Sequence, residues 1–274
     1  MASSLKVSEA INLIKATQKT TDIFIPSLGR TAKFKHLTTG QQEKIVQSLI
    51  DSPATQSKFN ITLIDIIKDN IDDKSIVNSL TIIDKYAIGV ALRICSVGNI
   101  LKTEVDSEPG IIYNIDLNQC TEYVKTHVKH TPFDEIKIDE FSIGVTYPTI
   151  SLEYANEKYF KRDDITLGDT ADGIRSIISN AFIGDAIMFI DYISIDRTDG
   201  EPLKLDFKSI SLQDKLDLVR KLPNTVIEKI IDPMSKTKNQ IEGILKTVGV
   251  STTDDKIKRS ILITFDASFF ISTN

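Results

Sequence analysis

A closely punctuated run near the start of the chain constrains the fold more than any other part of the sequence. It spans residues 21–45, TDIFIPSLGRTAKFKHLTTGQQEKI. Residues 22–25 are rich in strand formers, and the Pro-Ser-Leu-Gly of residues 26–29 is turn chemistry, because Pro fixes φ and Gly tolerates a positive φ. Residues 31–36 then alternate polar and apolar side chains with the period of a half-buried strand. The run predicts a β-hairpin that is followed directly by a helix.

Predicted hairpins and helices follow one another along the rest of the sequence. One predicted helix is capped by Thr38 or Thr39, and another is capped by Ser211. The other predicted helices are residues 60–71, 79–97, 150–160 and 170–190, and further helices continue to about residue 247. The predicted strands are residues 111–117, a pair within 133–147 bent at Asp139-Glu140, a hairpin turning at Asp199-Gly200, and a terminal strand within 256–270. Residues 98–110 are predicted to be a loop.

These elements indicate an α+β fold, in which β-hairpins are separated by helical clusters. Regular βαβ alternation is missing from the pattern, so a doubly wound nucleotide-binding fold is not expected. The polar, glycine-containing segment 161–170 is the predicted seam between domains. The predicted domains are an N-terminal arm or short helix (1–20), an N-terminal α+β domain (21–165), and a C-terminal helical domain with a hairpin and a terminal strand (166–274).

Charge and hydropathy exclude several functional classes. The net charge of -5 and the pI of about 5.4 argue against broad nucleic-acid binding, which needs a basic surface. The most apolar run, residues 174–195, is broken by Arg175, Asp185 and Asp191, so no membrane span is expected. No signal-peptide pattern is found, and the two cysteines cannot build a disulfide framework. A cytosolic, reduced protein is the expectation.

Candidate metal and phosphate sites are weak. Cys120, His127 and His130 have a spacing that fits no common structural zinc pattern, and the two histidines are expected to be exposed at a helix end. The acidic residues 196–201 are explained by a hairpin turn, and 168–173 by a capped helix entry whose aspartates would repel phosphate. No cofactor is expected.

An enzyme and an adaptor remain as alternatives. Cys95 lies in the most apolar predicted helix, where a thiol is usually an inert core residue, but a dyad of Cys95 with His36 stays open. A regulatory adaptor could bind protein surfaces through the helices of residues 211–247. The lack of a glycine-rich loop, a metal cluster or a triad favours binding or assembly over catalysis.

The opening run resembles the baseplate hub family of T-even-like contractile-tailed bacteriophages. Its matching segment is IPSLGRTAKFKHLTTGQQEKIV, with an extended Pro-Ser-x-Gly piece, a strand, and a helix that opens with a glutamine-rich turn. The later matching segments, in the same order as in the family, are LIDIIKDNI, DKYAIGVALRICSVGN, IKIDEFSIGVTYPTI, LQDKLDLVRKLPN and ILITFDASFF. No single segment is specific, and the shared order over most of the chain carries the resemblance.

The resemblance implies a non-enzymatic protein that builds, or forms part of, the central hub of the baseplate. Its implied partners are other hub and tail proteins in an oligomeric assembly, without nucleic acid. The implied locations are the virion tail baseplate and, during assembly, the host cytoplasm. A transient assembly chaperone that is absent from the mature virion is the alternative. Many relatives in this family carry a Cys-x-x-Cys pair shortly before the terminal strand. That pair is missing here from KTVGVSTTDDKIKRS, so no metal role is carried over.

The predicted hairpin is expected to be a docking edge for a neighbouring hub or tail protein. Strand addition along an exposed edge supplies backbone hydrogen bonds without catalytic side chains. The alternative is that the rings of the hairpin are simply core residues. The candidate partner-binding residues are Phe24, Ile25, Pro26, Gly29, Phe34, Phe269 and Phe270.

Overall fold

The structure is a computed structural model that describes residues 17–51, 56–160, 182–198 and 200–271. Within them the fold is α+β, with helices placed between small antiparallel sheets, as predicted. Most of the predicted N-terminal arm, the predicted seam and most of the predicted helix at 170–190 lie outside the described residues. Residues 182–187, at the end of that helix, are helical.

The first hairpin and the three helices after it form where the sequence predicts them. The strands are β1 (Thr20–Ile25) and β2 (Arg30–Lys35), and the helices are α1 (Thr39–Asp51), α2 (Ser57–Asn70) and α3 (Ile82–Ser96). Thr38 and Gln41 cap α1 reciprocally. The backbone N–H of Gln41 donates to Thr38 Oγ1 (3.2 Å), and that of Thr38 donates to Gln41 Oε1 (3.0 Å).

A four-stranded antiparallel sheet of order β10-β9-β4-β3 contains the main departures from the prediction. Its strands are β3 (Ile100–Val105), β4 (Glu108–Asp116), β9 (Lys246–Ser251) and β10 (Lys258–Leu262). The predicted loop at residues 98–110 is wrong, because β3 and the start of β4 occupy it. As an edge strand with Lys102 and Glu104 in solvent, β3 has the composition of a loop. β9 has no counterpart in the sequence prediction.

A second four-stranded antiparallel sheet, of order β5-β6-β7-β8, confirms two predicted strand pairs. Its strands are β5 (Ile136–Ile138), β6 (Phe141–Val145), β7 (Ile190–Ile195) and β8 (Leu203–Asp206). Asp139 makes the bend between the first two with a φ of +48°. The β7–β8 hairpin pairs Ile195 with Leu203, while Asp199 of its turn lies outside the described residues.

Four further helices lie in the described part of the chain. They are α4 (Asn118–His127), α5 (Ile150–Phe160), α6 (Leu212–Val219) and α7 (Asn224–Leu245). The predicted cap at Ser211 is confirmed, since the N–H of Asp214 donates to Ser211 Oγ (3.2 Å). Thr149 caps α5 in the same way, with its Oγ1 accepting from the N–H of Leu152 (3.2 Å). A short 3-10 turn, Ala267–Phe270, follows the terminal strand.

The buried side chains form two hydrophobic cores. The first joins the opening hairpin and helices α1 to α4 to the last two strands and the final aromatic residues. In it the rings of Phe59 and Phe265 meet edge to face, 5.8 Å apart. The second core lies between the β5–β8 sheet and helices α6 and α7. The predicted boundary at residues 165 and 166 lies outside the described residues, so the division into domains stays a prediction.

Candidate docking surface at the first hairpin

The turn of the first hairpin attaches it to helix α3. The backbone N–H of Ser27 donates to Asp84 Oδ1 (3.0 Å), and Asp84 also closes the capping box with Thr81 at the start of α3. Gly29 takes a φ of +60°, in the left-handed region that favours glycine, and its N–H donates to Ile25 O (3.0 Å). The turn predicted from the sequence therefore sets both the shape of the hairpin and its place on the helix.

The structure places most of the candidate partner-binding residues inside the first core. Five of the seven are buried: Ile25, Pro26, Phe34, Phe269 and Phe270. Gly29 is exposed at the turn, and Phe24 is half-buried on β1. A partner contact by any of the seven stays a prediction, and Phe24 and Gly29 are the two with surface to offer.

A groove of about 190 Å³ runs beside β1, between that strand and helices α3 and α4. Its apolar lining includes Phe24 of β1, Ala91 and Ile94 of α3, and Val124 of α4. Ala91 leaves space there that a larger side chain would fill. At the rim stand polar and charged side chains, Asp22, Asn118, Thr121 and Lys125.

The backbone of β1 borders this groove, and one of its edges is unpaired among the described residues. On the other strand, β2, the outer edge is partly covered, because Phe34 forms a bridge with Ile71 and the N–H of Asp72 donates to Lys33 O (3.0 Å). Within the part of the chain that the structure describes, no residue outside the hairpin hydrogen-bonds the backbone of residues 21–24. An unpaired strand edge beside an apolar groove is a suitable surface for strand addition.

Cys95 lines the same groove, but its surroundings do not activate the thiol. The sulfur lies 3.4 Å from Leu92 O and 3.6 Å from Ser96 Oγ. Burial raises the pKa of the Cys95 thiol, and a thiol with a raised pKa is a poor nucleophile at neutral pH. The ring of His36 bonds Thr21 Oγ1 through Nε2 (2.7 Å), and burial together with the charge of Lys19 lowers its pKa.

Cys120, His127 and His130 each have a separate packing role. Cys120 is fully buried, and this burial raises its pKa to about 12. The exposed ring of His127 stacks on Tyr123 (4.7 Å between centroids), and that of His130 lies 4.3 Å from the ring of Tyr147. Among the described residues, no group of three or more His, Cys, Asp or Glu side chains is placed to hold a metal ion.

A comparison with protein families decides the class of this chain. The model of one family, described as the T4 bacteriophage base plate protein, matches residues 16–265. The chain belongs to this base plate family. The match spans the opening hairpin, the groove and the second core, and it ends at Phe265, before the last aromatic residues of the first core. No curated protein and no solved structure matches the chain.

Membership of the base plate family confirms the resemblance seen in the sequence at the level of the baseplate, but not at the level of the hub. The chain is a bacteriophage baseplate protein, its place is the virion tail, and its partners are other phage tail proteins. Of the helices that the structure describes, none has both the length and the apolar character needed to cross a bilayer.

Proposed function

We propose that this base plate protein is a non-enzymatic component that builds, or forms part of, the central hub of the baseplate through protein–protein contacts. The observation that supports this most is the unpaired edge of β1 beside an apolar groove. The thiol in that groove, Cys95, has a raised pKa, which favours a packing role over a catalytic one. A transient assembly chaperone would use the same surface and is distinguished by its absence from the finished particle.

In this proposal, an extended segment of a neighbouring tail protein pairs with the outer edge of β1. Backbone hydrogen bonds to residues 21–24 supply affinity, and an apolar side chain of the partner enters the groove over Ala91. Phe24 provides an aromatic wall for that side chain. Asp22 and Lys125 carry opposite charges at the rim, so they favour one orientation of a partner with charges of its own.

The substitution Ala91→Phe tests the groove by filling it. The matched control is Ala155→Phe, because Ala155 is exposed on helix α5 and does not line the groove. Each variant replaces the wild-type chain during tail production, and the tail proteins that co-purify with it are quantified by mass spectrometry. We expect Ala91→Phe to reduce co-purification at least tenfold, while Ala155→Phe retains it.

A second variant protects this test against a folding defect. Asp22→Lys changes only an exposed side chain at the rim, and thermal unfolding checks that each variant is folded. Wild-type co-purification by a folded Ala91→Phe protein would contradict docking at the groove. If the Ala91→Phe protein is unfolded, the folded Asp22→Lys protein takes its place in the test. Co-purification of tail proteins with Asp22→Lys at the wild-type level would then contradict docking at the groove.

A further inference from the structure

The β5–β8 sheet ends in a row of four apolar side chains, one from each strand. Ile138 pairs with Phe141, Phe141 pairs with Ile195, and Ile195 pairs with Leu203, each at the end of its strand that borders a turn. Directly paired residues of antiparallel strands point to the same face of a sheet. The four side chains, here called the apolar tip row, therefore form one strip, about 14 Å long at the usual strand spacing.

The apolar tip row keeps surface that the described part of the chain does not cover. Leu203 is 38% exposed, and the other three side chains of the row are half-buried at the margin of the second core. One row further into the sheet, Ile143 and Ile193 are fully buried. The core-facing side of the sheet thus continues past the core to an open end. Contiguous exposed apolar side chains of this kind indicate a contact surface.

Two acidic turns lie directly beyond the row. One is Asp139-Glu140, between β5 and β6, and the other contains Asp196 and Glu201, between β7 and β8. The N–H of Asp196 donates to Glu140 O (2.8 Å), so the two turns stand side by side. All four carboxylates are exposed, and none of them forms an ion pair with another described residue.

Basic side chains at this end of the sheet do not cancel the acidic charge. The described part of the two turns contains four carboxylates and a single guanidinium, that of Arg197. Lys137 and Lys204 each precede or follow a residue of the row, so their side chains point to the opposite face of the sheet. On that face Lys137 pairs with Glu135 (3.3 Å), and the ammonium of Lys204 lies 3.7 Å from the ring centroid of Tyr192.

Helix α7, which contacts β5, adds no net charge in its first half. Glu228 and Lys229 are adjacent there, and Asp232 pairs with Lys236 (2.8 Å). The end of the sheet therefore presents an apolar strip with negative charge along one side. Such a surface repels phosphate groups, so it favours a protein partner over a nucleic acid or an anionic lipid surface.

The dimensions of the row favour a helix over an added strand. The two edge strands of this sheet, β5 and β8, have only three and four residues, so they offer short templates for strand addition. A helix with apolar residues at i, i+3, i+4 and i+7 carries a stripe about 10.5 Å long, which fits along the row. Because both acidic turns lie on the same side of the row, the basic residues of such a helix belong on one flank of its stripe.

We propose that the apolar tip row and its two acidic turns bind an amphipathic helix of a neighbouring protein, with lysine or arginine along one flank of its apolar stripe. The helix lies across the ends of the four strands. Its apolar side chains contact Phe141, Ile195 and Leu203, and its basic flank faces Glu140 and Asp196.

The test uses the full-length chain, labelled at the methyl groups of Ile and Leu, and two blocked, alanine-based peptides of about 18 residues, a length at which such sequences form helix. Both peptides carry leucines at i, i+3, i+4 and i+7. One has lysines on a flank of this stripe, and the other has glutamates at the same positions. We expect the lysine peptide to bind at least tenfold more tightly and to shift the methyl signals of Ile138, Ile195 and Leu203.

The double variant Glu140→Lys/Asp196→Lys is expected to reverse this preference, so that the glutamate peptide binds more tightly. The matched control is Asp72→Lys/Asp255→Lys, which makes the same change in net charge away from this sheet and should keep the preference of the wild type. All four substituted side chains are exposed, so the cores stay intact.

Equal binding of the two peptides, shifts of other methyl groups only, or equal effects of the two double variants would overturn the proposal. Movement of the same methyl signals on dilution of the protein alone would also overturn it, because a second copy of the chain would then occupy the row. The site is separate from the groove beside β1, and the peptide experiment contains no other tail protein. Its failure therefore leaves the proposed hub function untouched.

Discussion

At the scale of single residues, a lysine sealed inside the first core needs explanation. The side chain of Lys85 is completely buried, and its ammonium lies 2.6 Å from Glu153 Oε1 and 3.0 Å from Asn60 Oδ1. Asn60 also donates to Glu157 Oε1 (3.2 Å). Burial alone would lower the pKa of Lys85, but the negative charges around it, mainly that of Glu153, outweigh burial and raise the pKa above its usual 10.5.

Replacing Lys85 by Met should strongly destabilise the protein. The substitution leaves the carboxylates of Glu153 and Glu157 buried without their cation, which costs about 3–5 kcal/mol in comparable sites. The control is Lys236→Met, which removes an exposed pair with Asp232 (2.8 Å) and should cost little, since water and salt screen it. Unfolding in urea measures both losses, and equally small losses would contradict a stabilising role for Lys85.

The raised pKa of Lys85 also predicts how stability depends on pH. A group with a higher pKa in the folded state stabilises fully below its unfolded value of 10.5, and the stabilisation is lost as the pH rises through the folded pKa. We therefore expect the stability difference between wild type and Lys85→Met to be constant from pH 7 to 9 and to shrink above 10.5. A difference that stays constant through this alkaline range would exclude the linkage.

The thiol of Cys95 gives a test of the enzyme alternative. Because burial raises its pKa, alkylation of Cys95 in the native protein should be slow at pH 7 and should accelerate at higher pH. Cys120, with a pKa of about 12 and no exposed surface, should stay unmodified. Peptide mapping after timed alkylation measures both sites. A Cys95 that reacts at pH 7 faster than free cysteine would favour an activated nucleophile.

At the scale of elements, the sequence predicts a strand well when the signal is local. The opening hairpin and the β7–β8 hairpin are marked by their turns, and both are confirmed. The sequence does not predict β9, because its small and polar residues are buried and one of its apolar residues is exposed. Thr247, Gly249 and Ser251 face inward while Val248 is exposed. Gly249 lies under Ile261, whose Cδ1 is 2.6 Å from where a Cβ would stand. A small, polar inner face does not show the usual alternation.

The candidate docking groove is harder to predict than its strand. β1 is visible in the sequence, but the groove also needs Ala91 of α3 and Val124 of α4, which are distant along the chain. The alternation of Leu101, Thr103 and Val105 with charged residues could have revealed β3.

The attachment of the C-terminal aromatic residues to α3 predicts opposite effects for two glycines. A Cβ at Gly89 would stand 2.5 Å from Cζ of Phe265, whereas no atom of the described residues lies within 4 Å of a Cβ at Gly40 in α1. Gly89→Ala should therefore cost about 1–3 kcal/mol through overpacking. Gly40→Ala should be neutral or stabilise by up to about 1 kcal/mol, since alanine favours helix. Thermal unfolding checks the signs, and a stabilising Gly89→Ala would show that Phe265 does not pack there.

At the scale of the whole molecule, both ends of the described chain meet in one core. The hairpin at residues 20–35 and the aromatic turn at 267–270 belong to the same cluster, so the groove beside β1 is built on a core that joins both ends of the described chain.

Quantitative mass spectrometry of purified infectious particles, compared with lysate from cells that are producing tails, tests the central claim most directly. We predict that the chain co-purifies with hub proteins in the lysate and is present in the particle at a fixed, small copy number. Its presence with hub proteins in the lysate alone would identify the chaperone alternative. Association with no tail protein in either sample would contradict the account.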